Sequence, residues 1–279
     1  MCFLTCLLLF ASGLWARSFE TRRIPNEAFP GKMVEVFWKA PQGNGPFPLL
    51  IFAHPYQGKS HPGAIMLAQQ GALEAMSRSG FIGVAFSHAG NGKTDGHPDN
   101  AGPVSQGALR SVIRHFRNLP ISSGQVYLYG ISLGATLSAV VATQEKGLTG
   151  VILENGAYDV EALLHQLWFQ ARADTDLLEL YQELEHQTGA DPGRFRTRSA
   201  LERVKDLSAP VLILAGLGDT VTLPDYALRL HQAIRAHGGD SELVIFPFSG
   251  HAIAHEKKIP HFNRFFSRTK KLSKKLPRL

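Results

Sequence analysis

Residues 125–135, Gln-Val-Tyr-Leu-Tyr-Gly-Ile-Ser-Leu-Gly-Ala, constrain the fold of this chain more than any other stretch. Val126, Tyr127, Leu128 and Tyr129 form a short apolar and aromatic run, the pattern of a buried strand. Gly130-Ile131-Ser132-Leu133-Gly134 then breaks the run. From Leu133 to Val141 the residues are small or apolar and uncharged, as expected of a helix packed closely on a sheet. Strand, sharp turn and helix are the context that a Gly-x-Ser-x-Gly nucleophile elbow requires. Such a turn crowds its neighbours, so Gly130 and Gly134 are predicted to stand where a Cβ would clash. Ser132 is then expected in a strained backbone conformation, its hydroxyl exposed at the carboxyl end of the sheet. The plainer alternative is a helix N-terminus capped by Ser132.

The flanking sequence supplies a sheet for this turn. Residues 34–38 alternate in polarity ahead of the turn-rich residues 40–46, which predicts a hairpin connection to the next strand. Residues 49–53 are a continuous apolar run, typical of a strand buried on both faces, and end at His54-Pro55-Tyr56-Gln57. Further strands are expected at 81–86, 150–154, 210–215 and 243–246, with helices at 64–79, 104–118 and 224–237 and from about His255. Alternating strands and helices place the chain in the α/β class, with a mostly parallel twisted sheet covered on both faces. Residues 156–206 interrupt that rhythm. They are rich in helix formers and in Leu163, Leu164, Leu167, Trp168, Leu177, Leu178 and Tyr181, and are too long for a plain connection. They are read as a helical cap insertion, with packing of the scaffold as the plainer reading.

With 279 residues and 44% hydrophobic content, the chain can build one large domain, expected over 17–279. Residues 1–16 are apolar apart from Thr5 and Ser12, too short to span a membrane, and resemble a secretory signal core without its basic start. Export is therefore expected; an uncleaved anchor is the alternative. Cys2 and Cys6 both lie in that segment, so a processed chain would hold no disulfide. The net charge of +6 is a property of one end. Residues 257–279 carry nine of the 29 basic residues and no acid, which leaves 20 basic against 23 acidic residues elsewhere, a balance of −3. The basic tail at 267–279 suits at most weak contact with an anionic membrane surface. No nucleic-acid motif accompanies it.

Three motifs, Gly130-Ile-Ser132-Leu-Gly134, the segment from Pro210 to Gly218-Asp219, and Phe248-Ser-Gly-His251, follow in this order at strand ends. On them the chain resembles the α/β-hydrolase superfamily, in particular dienelactone hydrolase and prolyl oligopeptidase-like serine hydrolases, from about residue 33 to 266. It departs from that pattern in Ala135, where peptidase relatives often carry a third glycine, and in His54-Pro55-Tyr56, which replaces the commoner His-Gly-Gly. The resemblance implies an α/β-hydrolase fold and a Ser132–His251–Asp219 triad. A neutral serine needs a base to take its proton and an acid to orient that base. Glu154 and Asp159 are rival acids and His255 a rival base. The Leu133 N–H would supply one oxyanion donor. Pro55 has no N–H, so Tyr56 or Gln57 must supply the other, Tyr56 through its backbone or, as in some relatives, its phenol.

Two other signals weigh less. Gly92-Lys93-Thr94 follows a strand, but Ser87 stands where a phosphate-binding loop needs glycine. His251 and His255 have metal-ligand spacing without a neighbouring Glu or a third ligand in view. The expectation is a serine hydrolase without metal or cofactor, cleaving a carboxylic ester or thioester through an acyl-enzyme, with a small ester or short peptide as partner. A peptidase of the prolyl oligopeptidase kind is the runner-up, set back because 279 residues leave no room for a gating domain. A non-catalytic binding protein on the same fold comes third.

Overall fold

Side chains alternate across a strand, so the inner strands here feed two cores, one on either face of the sheet. The computed structural model describes residues 19–172, 174–189 and 191–273. The leader expected at 1–16 and the end of the basic tail from residue 274 lie outside them. Eight strands form one sheet: β1 (Glu20–Pro25), β2 (Met33–Lys39), β3 (Phe47–Ala53), β4 (Ile82–Phe86), β5 (Ser122–Ile131), β6 (Gly150–Glu154), β7 (Val211–Gly216) and β8 (Ser241–Phe246). Their order is β1-β2-β4-β3-β5-β6-β7-β8, with β2 alone running against the rest. This is the expected mostly parallel α/β sheet.

Helices α1 (Ile65–Gln69), α2 (Ala72–Arg78) and α9 (His255–Ser273) cover one face; α3 (Pro103–Arg117), α4 (Leu133–Gln144) and α8 (Pro224–Ala236) cover the other. On β5, Val126 and Leu128 join the core beneath α3 and α4, whereas Tyr127 and Tyr129 join the one beneath α2 and α9. Helix α4 is buried from Gly134 to Thr143, which explains its lack of charge. Between β6 and β7 come α5 (Val160–Gln170), α6 (Thr175–Thr188), α7 (Pro192–Arg196) and a 3-10 segment, Ala200–Asp206.

Three details differ from the sequence reading. Residues 40–46 do not close a hairpin: the α1–α2 crossover sets β4 parallel beside β3, and β2 pairs with the far edge of β4. The helix expected over 64–79 is two helices, because Gly71 takes a left-handed conformation, φ 85°, between them. Strand β1 was not expected; it lies at the sheet edge with Ile24 its one buried residue, so its sequence shows no apolar alternation.

Two buried polar assemblies hold the carboxyl ends of the strands. Lys258 on α9 donates to both carboxylate oxygens of Glu154, at 2.9 and 2.8 Å, and the Tyr129 hydroxyl donates to the same carboxylate at 2.5 Å. Burial, then the Glu154 charge, pushes the Tyr129 phenol well above its ordinary value. Nearby, the rings of His54 and His88 stack with centroids 3.7 Å apart. His54 Nδ1–H donates to the Pro55 carbonyl at 2.8 Å, and its Nε2 accepts the His88 backbone N–H at 3.1 Å. Burial lowers His54 to about 4 and carries His88 well below the usual histidine range.

Removing one partner of a buried ion pair strands the other charge, so Lys258→Met is expected to cost about 3–5 kcal/mol. Adding Glu154→Gln should restore part of it; a single-variant loss under about 1 kcal/mol in urea unfolding would contradict the pairing. The unfolded chain takes up its histidine protons near pH 6.5, whereas folded His54 resists until about 4. Its contribution of about 3 kcal/mol is therefore complete above pH 6.5 and lost as pH falls towards 4. The urea midpoint should drop between about pH 7 and about pH 5, and drop less in His54→Gln; equal drops would exclude His54 as a cause.

Candidate active site

Strand β5 ends at Ile131 and α4 starts at Leu133, so a single residue makes the turn. Ser132 takes φ 54° and ψ −119°, the strained backbone that the spacing predicts. Its N–H donates to the Glu154 carbonyl at 2.8 Å, and its own carbonyl accepts from the N–H groups of Ala135 and Thr136. A Cβ on Gly130 would lie 2.2 Å from the Gly134 carbonyl oxygen, and one on Gly134 would lie 2.1 Å from that of Ala53. Both distances are far inside van der Waals contact, so the turn admits no other residue at either position. Helix α4 is thereby pressed against the end of β3, with Ser132 above it.

The loops after β7 and β8 bring the other two side chains to the same rim. His251 Nε2 accepts the Ser132 hydroxyl at 3.0 Å, and its Nδ1–H donates to Asp219 Oδ2 at 2.8 Å. The second carboxylate oxygen of Asp219 accepts the N–H groups of Val221, at 2.8 Å, and Thr222, at 3.0 Å. The Thr222 hydroxyl lies 2.9 Å from Oδ2. Asp219 is 2% exposed, so these donors replace water around the charge. Its Gly-Asp turn and its contact with the imidazole coexist; the next helix, α8, begins after Leu223 with no side-chain cap.

None of the rival groups reaches this chain of bonds. The Glu154 carboxylate is committed to Lys258 and Tyr129. Asp159 caps α5 through the Ala162 N–H and pairs with Arg229 at 2.7 Å. His255 opens α9 and lines a cleft with Tyr129 and Phe262 on the α2–α9 face. No cluster of three or more His, Cys, Asp or Glu side chains suited to a metal ion occurs among the described residues. Residues 92–94 wrap a buried carboxylate, not a phosphate site: Glu35 accepts the Lys93 N–H and the Ser87 hydroxyl.

Leu133 and Tyr56 line a cavity of about 10 Å³ beside Ser132's turn, together with His54, His88 and Asn91. That volume suits about one water molecule. The Tyr56 hydroxyl donates to Glu179 of α6 at 3.4 Å. Burial, then the carboxylates of Glu183 and Glu179, raises its phenol far above the ordinary value, which keeps it a donor. The Gln57 side chain is bonded to Gly63 at both its oxygen and its nitrogen.

Helix α5 is tied to the Asp219 loop: Gln166 and Gln170 donate to the carbonyls of Val221 and Thr220, each at 2.9 Å. Trp168, Phe169 and Leu178 on α5 and α6 are exposed, as are Leu217 and Phe248 on the Asp219 and His251 loops. Two contributors escaped the sequence reading, Thr222 and Asn155. Asn155 directly follows the apolar run of β6, a place where a buried polar residue is conspicuous.

Two family models match overlapping parts of the chain. The X-Pro dipeptidyl-peptidase (S15 family) model matches residues 33–173 and the prolyl oligopeptidase family model residues 108–271. Dipeptidyl-peptidase 4 of Giardia intestinalis is 24% identical over 258 residues, 82% of this chain and 31% of that protein. An acylaminoacyl peptidase of Pyrococcus horikoshii superposes with a TM-score of 0.70 at 19% identity, over 90% of this chain and 42% of its own. An esterase of Pyrococcus furiosus gives 0.70 at 16% identity, over 92% of this chain and 95% of its own. The chain thus spans less than half the length of both named peptidases, and the structural likenesses establish the α/β-hydrolase fold. The prolyl oligopeptidase model takes in Ser132, Asp219 and His251 and covers more than half of the sequence. The chain therefore belongs to the prolyl oligopeptidase family of serine hydrolases.

Proposed function

We propose that the protein hydrolyses a carboxylic ester or thioester through an acyl-enzyme on Ser132. The observation that carries this reading is the unbroken hydrogen-bond chain from Ser132 through His251 to Asp219. The Ser132 oxygen attacks the acyl carbonyl while its proton passes to His251 Nε2. Asp219 fixes the tautomer with Nδ1 protonated and steadies the imidazolium. The developing oxyanion faces the Leu133 N–H at the start of α4, where the helix dipole favours negative charge. Collapse of the tetrahedral species expels the alcohol or thiol, which takes the proton from His251, and water then releases the acid by the same steps.

Residues 156–206 act as a cap in this reading. The exposed Trp168, Phe169, Leu217 and Phe248 favour an apolar acyl or alcohol group. No metal or organic cofactor has a part in it. The apolar composition of residues 1–16 supports export. A peptidase is the second reading, favoured by both family models. In it, the Glu179 and Glu183 carboxylates beside Tyr56 would suit a substrate bearing positive charge.

Ser132→Ala is expected to lower kcat by about 10⁴- to 10⁶-fold without loss of folding. Asp219→Asn should cost about 10⁴-fold through the wrong imidazole tautomer. Activity retained in either variant would overturn the assignment of that residue. A panel of p-nitrophenyl esters of rising chain length beside proline p-nitroanilides separates the two substrate readings. Rising kcat/KM with chain length supports the ester, and preferential cleavage of the anilides assigns a peptidase.

A further inference from the structure

A triad drawn from three loops needs something to hold those loops in register, and one side chain bridges two of them, those of Asp219 and His251. Asn155 follows β6 and is 3% exposed. Its Nδ2 donates to the His251 carbonyl at 2.8 Å and lies 3.4 Å from that of Gly250. Its Oδ1 accepts the Gly216 N–H at 2.9 Å, where β7 passes into the Asp219 loop. Its own carbonyl lies 2.8 Å from the Thr222 hydroxyl, the group that also reaches Asp219. The preceding residue, Glu154, accepts the Ser132 N–H.

The backbone of Asn155 stands at φ 49°, in the left-handed region that Asn tolerates better than most residues. That conformation turns the chain away from the sheet and sets the amide between the two loops. Oδ1 and Nδ2 therefore do different jobs, one accepting from the acid side and the other donating to the histidine side. A primary amide offers a donor and an acceptor on two separate atoms of one short, planar group. An aspartate of the same shape would face two carbonyl oxygens with a carboxylate oxygen.

We propose that Asn155 is a positioning residue, which fixes the imidazole of His251 between Ser132 and Asp219 by clamping together the two loops that carry His251 and Asp219. The proposal rests on the hydrolase reading above. Misplacing a reacting group by about 1 Å can cost on the order of 100-fold in rate, which sets the scale expected here.

The test uses two variants of the full chain. Asn155→Gly keeps the left-handed backbone and removes the amide. Asn155→Asp keeps the shape and the acceptor and removes the donor. Both should lose about 10- to 100-fold in kcat with KM within about threefold, and label with a fluorophosphonate more slowly in proportion. The low-field proton resonance of His251 Nδ1–H, read by NMR without substrate, should shift or broaden in both. Variants that fold with unchanged kcat and an unchanged resonance would overturn the proposal. So would failure of both to fold, which would make Asn155 structural alone. A wild-type protein that takes no fluorophosphonate on Ser132 would instead sink the hydrolase reading itself.

Discussion

The contact on which the site depends is the approach of Gly134 to the carbonyl of Ala53. No side chain fits there, since a Cβ would come within 2.1 Å of that oxygen. The helix after Ser132 can therefore start directly against the end of the neighbouring strand. Because it does, Ser132 is forced into a left-handed backbone, φ 54°, and its hydroxyl is lifted to the rim of the sheet. The strain is held by the packing of α4, buried along its length, and by the backbone bond from Ser132 to Glu154. A smaller or wetter helix would let the turn relax and drop the hydroxyl away from His251.

Acidic residues show how environment divides one residue type into several roles. Glu35, Glu154 and Asp219 are each less than 5% exposed. Glu35 organises the loop after β4 by accepting from Ser87 and Lys93, whereas Glu154 is paired with Lys258 and locks α9 to the sheet. Only Asp219 presents an oxygen to an imidazole that in turn reaches a hydroxyl. The buried histidines divide in the same way. His54 spends both ring nitrogens on backbone groups, and His251 spends one on Asp219 and keeps the other for Ser132.

Much of this was legible in the sequence because it rests on local rules. The crowding at Gly130 and Gly134, the apolar runs of β3 to β7 and the order of Ser132, Asp219 and His251 are all visible within a few residues of each position. What was hidden depends on partners distant in the chain. The edge strand β1 is mostly exposed and carries no apolar alternation, so only its pairing with β2 defines it. The placement of β4 between β2 and β3 follows from a crossover that residues 40–46 do not encode. The Tyr56 hydroxyl also has a partner that no local pattern shows, Glu179, 123 residues away. Asn155 had no motif at all, since its partners Gly216 and His251 lie 61 and 96 residues on.

These relations support the proposal that Ser132, hydrogen-bonded to His251, is a nucleophile. Peptide mapping by mass spectrometry after brief fluorophosphonate treatment tests it most directly. The account predicts a single adduct, on Ser132, formed much more slowly when His251 is replaced by alanine. An unlabelled protein, an adduct on another residue, or a rate indifferent to His251 would contradict it.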